Sequence, residues 1–91
     1  MQERKLQIIN KLGLHARAAT KLAAVANRFA AHIEVEVEAK GKVTNAKSIM
    51  SLMLLAASKG TIIVVRTEGD DELDAINAIE HLINDRFEEA E

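Results

Sequence analysis

The chain has no cysteine, proline, tryptophan or tyrosine, and among its 91 residues only two are aromatic and four are glycine. Each absence closes off a class of function. Without Cys there is no disulfide framework, no thiolate nucleophile and no Cys-ligated metal, and a reducing cytoplasm is the compartment this composition suits. Two Phe leave almost nothing on which bases could stack, and 12 Lys plus Arg against 14 Asp plus Glu give a formal charge of −2. Nucleic acid is therefore not the expected partner. No basic segment followed by a long apolar run opens the chain, and the apolar stretches fall short of the roughly 20 residues that span a bilayer. Neither a leader nor a membrane insertion is expected. The absence of Pro-rich, Gly-rich or repetitive stretches also argues against an internal linker.

What is present is 48% apolar side chains, nine Ile, nine Leu and fifteen Ala among them. A chain this short buries about two-thirds of its unfolded surface, so a single domain over 1–91 with one core and surface chemistry is expected. Leu6 and Ile8 alternate with polar neighbours in a strand over Arg4–Asn10. Ala18, Leu22, Val25 and Phe29 then recur at helical spacing from Ala16, with Leu22 and Phe29 as core. Ile33, Val35, Val37 and Ala39 alternate against Glu34, Glu36 and Glu38, which predicts a strand with one solvated face. Lys40-Gly41 turns into a second strand carrying Val43. Ser48 opens an apolar helix that runs to Ala57 and stops near Gly60. Thr61–Thr67 reads as a central strand. Gly69-Asp70-Asp71 supplies N-cap candidates for a helix with Leu73, Ile76, Ile79, Ile83 and Phe87, after which Glu88, Glu89 and Glu91 fray. The order βαββαβα predicts an α+β fold, an open-faced two-layer sandwich with three helices on one side of a four-stranded, mainly antiparallel sheet.

Gly13-Leu14-His15-Ala16-Arg17 places a histidine where a loop enters a helix. The first N–H groups of a helix lack intrahelical partners and, with the dipole, attract anions. A phosphoryl group on the His15 ring would meet the N–H groups of Ala16 and Arg17, and the Arg17 guanidinium could add a charge-assisted bond. The same dipole favours a neutral, nucleophilic imidazole, and Gly13 lets the loop turn tightly. An ordinary polar cap is the competing reading of His15. His32, before a strand, and His81, on the last helix, have no neighbouring carboxylates or histidines at ligand spacing, so no metal is expected. Ser48 reads as a helix cap or as a phosphorylation site, where added charge would repel an acidic partner. Ile49, Met50 and Met53 exceed what one face of a short helix buries; core packing and an adaptable binding surface both fit them. The Glu34, Glu36, Glu38 row and the Glu-rich tail read as solvated faces.

NKLGLHARAA at 10–19, AKSIMSLMLLA at 46–56 and the Lys59-Gly60 turn together resemble the histidine-containing phosphocarrier proteins (HPr) of the bacterial phosphoenolpyruvate-dependent phosphotransferase system, over essentially the whole chain. The resemblance implies that His15 accepts a phosphoryl group on Nδ1 from phosphorylated enzyme I and passes it to an enzyme IIA protein or domain, with Arg17 assisting. It implies that Ser48 is the regulatory phosphorylation position in bacteria that possess HPr kinase/phosphorylase. It also implies docking through Ile49, Met50 and Met53, with Thr20 beside them. The product of these implications is a cytoplasmic carrier, with no cofactor and no turnover of its own, working as a monomer in sugar uptake or in nitrogen and carbon regulation. One departure stands at Ala18, where the family usually has Pro; the form resembles proteobacterial members, the nitrogen-related branch included. A small-molecule-binding regulatory domain of the ferredoxin-like βαββαβ type is the alternative that the fold permits. An RNA-binding βαββαβ module would need strand aromatics, which are absent.

Overall fold

The computed structural model describes residues 1–90. Its elements are β1 (Gln2–Gln7), α1 (Ala16–Ala26), β2 (His32–Val37), β3 (Lys42–Asn45), α2 (Ile49–Leu54), β4 (Ile62–Glu68) and α3 (Glu72–Asn84), followed by a 3-10 turn at Arg86–Glu88. The strands form one sheet in the order β1-β4-β2-β3, antiparallel throughout. This is the expected α+β open-faced sandwich. β4 is central, as its β-branched run predicts, and its alternation decides the layering. Ile63, Val65 and Thr67 are buried under the helices, whereas Arg66 faces outward and binds Glu3 at 2.6 Å and Glu36 at 2.7 Å. Val64, flanked across the strands by Lys5 and Glu36, is buried within that outer, charged row. The Glu34 and Glu36 side chains are thus half-buried, not freely solvated.

One buried cluster joins the sheet to the helices. It includes Leu22 on α1, Leu52 on α2, Ile76, Ile79 and Ile83 on α3, and Ile33 and Val35 on β2. Several bounds differ from the sequence expectation, each for a physical reason. β1 ends at Gln7, although Ile8 is fully buried and its N–H still donates to the Thr61 carbonyl at 2.9 Å. α1 stops at Ala26, leaving Phe29 beyond it and only half-buried against the core. Ala39 is exposed in the hairpin turn after β2. α2 is six residues long because Ala56, not a glycine, takes the left-handed conformation at φ 53°. Gly60 is not a helix stop; its N–H closes the β1 end by donating to the Ile8 carbonyl at 2.7 Å. Leu73, expected on the buried stripe of α3, is exposed.

Asp71 occupies the cap position of α3 but does not cap it. Its two carboxylate oxygens instead accept from the N–H groups of Ala30 and Ala31, each at 2.8 Å, tying the α3 start to the α1–β2 connection. Those bonds, the Ala30 bond first, hold the Asp71 carboxyl below its usual range against the smaller opposing effect of burial. Glu72 is likewise lowered, chiefly by the chain's amino terminus 2.8 Å away and by the Gly69 N–H. A carboxyl whose folded pKa is depressed contributes stability that is present above its unfolded value, about 4, and is lost as pH falls through the lower folded value. Urea midpoints should therefore hold steady from neutral pH to about 5 and fall below about 4. Asp71→Asn should flatten that fall; an unchanged pH profile would remove Asp71 from the acid response.

Candidate functional site

The loop from Ile9 to Leu14 is built by two short-range devices. Asn10 is fully buried, and its Nδ2 donates to the Gly13 carbonyl at 2.8 Å. Gly13 takes φ +67°, and a Cβ there would stand 2.5 Å from the Ala57 carbonyl oxygen, so only glycine lets the loop lie against the end of α2. The Leu14 N–H then donates to that same carbonyl at 2.8 Å. His15 follows in extended conformation as the N-cap of α1, with the ring delivered to the helix start.

The ring's two nitrogens have different partners. Nδ1 accepts from the Arg17 backbone N–H at 3.2 Å, and Nε2 lies 2.7 Å from Oε2 of Glu89. An acceptor at Nδ1 and a carboxylate at Nε2 assign the proton to Nε2 and the lone pair to Nδ1. The cap reading and the chemical reading of His15 are therefore compatible, because the capping atom is the nucleophilic one. Arg17 is exposed, and its guanidinium makes no hydrogen bond or ion pair among the described residues. A groove of about 420 Å³, open to solvent, is lined by Lys11, Leu12, Arg17, Glu89 and Ala90.

Glu89 corrects the expectation of a fraying acidic tail. Its side chain is only 13% exposed, with Oε2 on His15 and Oε1 accepting from Asn10 Nδ2 at 3.0 Å. Burial raises the Glu89 carboxyl pKa, but the hydrogen bonds from Asn10 and His15 and the charges of His15 and Arg17 together bring it below the ordinary value. Glu88 is exposed as expected, and Glu91 lies outside the described residues. Sequence reasoning missed both Asn10 and Glu89 as site residues. Asn three residues before Gly is a turn signal that could have pointed to Asn10; nothing local signals Glu89.

α1 and α2 pack together, and their connections fix their directions. The start of α1 is bonded to the end of α2 through Leu14 and Ala57, whereas the end of α1 reaches the residue before Ser48 through a bond of 3.1 Å from Asn27 Nδ2 to the Lys47 carbonyl. The two helices run antiparallel. His15 and Ser48 consequently sit at opposite ends of the pair, separated by roughly the 16 Å length of α1. Ser48 Oγ caps α2 by accepting from the Ser51 N–H at 3.2 Å. Of the two readings for Ile49, Met50 and Met53, exposure is the one observed: 41%, 70% and 42%, with Leu54 at 67% beside them and only Leu52 of that helix buried. Thr20 is exposed one turn into α1, its hydroxyl donating to the Ala16 carbonyl at 2.8 Å.

The other histidines stay outside this constellation. His32 is the first residue of β2 and has a carboxylate neighbour after all, Glu34 at 3.5 Å, two positions along the same face. His81 is exposed on α3. Among the described residues no group of three or more His, Asp or Glu is placed to hold a metal ion, and no helix is long and apolar enough to cross a membrane.

A half-buried imidazole capping a helix start on an open-faced α+β sandwich fits a protein of the phosphohistidine-carrier class. The family model for the "PTS HPr component phosphorylation site" matches residues 2–85. The phosphocarrier protein HPr of Pseudomonas putida is 48% identical over 91 residues, covering all of both chains. The phosphocarrier protein NPr of Shewanella violacea is 43% identical over 88 residues, covering 97% of this chain and 94% of its own. Among solved structures, HPr-C-His from Thermoanaerobacter tengcongensis superposes with a TM-score of 0.94 at 43% identity over the whole of both chains. The chain belongs to the HPr family: it is a phosphocarrier protein of the phosphotransferase system and not an enzyme.

Proposed function

We propose that this carrier takes a phosphoryl group onto Nδ1 of His15 from phosphorylated enzyme I and delivers it, in the cytoplasm, to a histidine of an enzyme IIA protein. The observation that supports this reading best is the division of labour on the His15 ring: Nε2 faces Glu89 while Nδ1 meets a helix-start N–H. The donor's phosphohistidine approaches in line, and its N–P bond breaks as the Nδ1 lone pair forms the new one. The Arg17 N–H, released from Nδ1, turns to a phosphoryl oxygen, and the α1 dipole and Arg17 guanidinium stabilise its charge. Incubation with phosphoenolpyruvate and enzyme I should produce an acid-labile phosphohistidine signal by phosphorus NMR. A protein that stays unlabelled under conditions in which enzyme I is itself phosphorylated would overturn the function. Supplying enzyme IIA proteins of the sugar and nitrogen branches separately then identifies the acceptor.

Both partners use one docking surface in turn, made by Ile49, Met50 and Met53 on α2 with Thr20 on α1. Met50 is the centre of the test because it is the most exposed of the three apolar side chains. Met50→Glu should raise KM for enzyme I by about tenfold or more, the loss of a residue contributing above about 1 kcal/mol to an interface, with stability changed by at most about 0.5 kcal/mol. Wild-type KM in the variant would exclude this surface.

Ser48 is the regulatory position of the same reading. A phosphate there lies too far along α1 to reach His15 and acts by placing charge at the edge of the α2 patch. With HPr kinase/phosphorylase and ATP the protein should gain one acid-stable phosphate that Ser48→Ala removes. The phosphorylated form should transfer more slowly from enzyme I through a raised KM; an acid-stable phosphate retained by Ser48→Ala would place the modification elsewhere.

A further inference from the structure

The phosphocarrier reading uses His15 and the start of α1, and it leaves unexplained why the chain spends a buried asparagine and a turn of unfavourable backbone on holding one glutamate. Asn10 has no exposure, its two Nδ2 hydrogens go to the Gly13 carbonyl and to Glu89, and among the described residues its Oδ1 meets no hydrogen-bond donor. A buried acceptor without a partner costs about 1–3 kcal/mol, so the orientation that leaves Oδ1 unsatisfied is retained against a penalty. The tail makes a similar sacrifice. Arg86, Phe87 and Glu88 all have positive φ, 54°, 54° and 64°, a conformation that side chains disfavour. Phe87 is fully buried, and Lys21 Nζ donates to its carbonyl at 2.9 Å. The result of both devices is the same: a carboxylate fixed 2.7 Å from Nε2 of His15.

We infer that Glu89, anchored by Asn10 and the Phe87 turn, is a positioning residue for phosphoryl transfer, which pins the Nε2 proton of His15 so that Nδ1 alone is presented to the donor. The inference rests on the phosphocarrier function proposed above and specifies how the ring is prepared for it. The step balances without any proton transfer. The donor's N–P bond breaks and its electron pair returns to the donor ring nitrogen, while the Nδ1 lone pair forms the new bond. Nε2 keeps its hydrogen, so the phosphorylated ring carries positive charge beside the Glu89 carboxylate. On delivery the Nδ1–P bond breaks, the electron pair returns to Nδ1, and the ring is restored with the same tautomer. A carboxylate on the far nitrogen thus orients the ring in both directions of the relay, as second partners of functional histidines generally do.

The test uses the whole chain with Glu89→Ala and Glu89→Asp. In the unphosphorylated protein, above the imidazole titration range, the wild type should show a protected, downfield Nε2–H proton resonance from His15. It should be absent in Glu89→Ala and restored by Glu89→Asp. Steady-state transfer from enzyme I should fall by about tenfold or more in kcat for Glu89→Ala, with KM unchanged because the α2 surface is intact, and Glu89→Asp should recover part of the rate. Urea midpoints for both variants check that the fold persists. An Nε2–H resonance that survives Glu89→Ala, or transfer as fast as wild type, would overturn the proposal. Faster transfer would overturn it too, making Glu89 a lid over the ring. Failure of the underlying function looks different: the wild type itself would then take up no phosphate.

Discussion

His15→Ala is expected to abolish the acid-labile phosphate while the protein remains folded. His15 is the only histidine joined to the α1 start; His32 opens β2 on the sheet and His81 is on α3. Neither of those rings can substitute, because neither has a helix-start donor on one nitrogen and a half-buried carboxylate on the other. The fold should survive because the His15 side chain makes two bonds, neither in the core: the cap bond from the Arg17 N–H to Nδ1 and the contact of Nε2 with Glu89; losing a cap costs typically about 1 kcal/mol. His15→Asn refines the experiment. Asn is a strong N-cap that cannot form a stable N-phosphate, so it should recover most of that kilocalorie and none of the uptake. Acid-labile labelling that persists in either variant would move the phosphorylation site off His15.

The residues differ in how far the sequence alone could place them, and the difference follows the range of the interactions. α1 and β4 were legible because their signals are local: Ala18 and Leu22 at helical spacing, Ile62 to Val65 in a β-branched run. His15 was legible because a loop, a helix start and an adjacent arginine are consecutive in the chain. The length of α2 was not, since the left-handed stop falls on Ala56 and not on Gly60, the residue type that marks helix ends in a sequence. Asp71 sits at the helix end that its sequence position signals, yet two amides 40 and 41 residues away outcompete its own helix for the carboxylate. Glu89 was the least legible. Its contact with His15 spans 74 residues, and a run of glutamates next to the chain's end has the composition of a solvated tail.

Phe87 shows why that tail is ordered, and Phe87→Ala is the substitution with the largest expected effect on stability. The 3.6-residue stripe of Ile76, Ile79 and Ile83 extends arithmetically to Phe87, but α3 ends at Asn84 and the ring reaches the core from a left-handed turn instead. Three successive side chains at positive φ are not favourable by themselves. They persist because the fully buried ring holds the turn from inside, with Lys21 bonded to the Phe87 carbonyl and Asn10 to Glu89. Truncating a buried Phe costs about 3–5 kcal/mol, a large share of the 5–15 kcal/mol available to a small domain. Part of that loss should be relieved as the turn relaxes, and the relaxation releases Glu89 from His15. Urea denaturation of Phe87→Ala should therefore show a midpoint shift equivalent to about 3 kcal/mol or more. Hydrogen exchange should rise at Glu88 and Glu89, whose N–H groups donate to the Asp85 and Arg86 carbonyls in the wild type. Phe87→Leu, which keeps an apolar anchor, should lose much less and retain the protected His15 Nε2–H proton. A loss below about 1 kcal/mol for the alanine variant would mean that the tail is held by its polar contacts alone. Loss of the Nε2–H signal in Phe87→Ala but not in Phe87→Leu would connect the core directly to the reactive ring, through a side chain 72 positions away in the sequence.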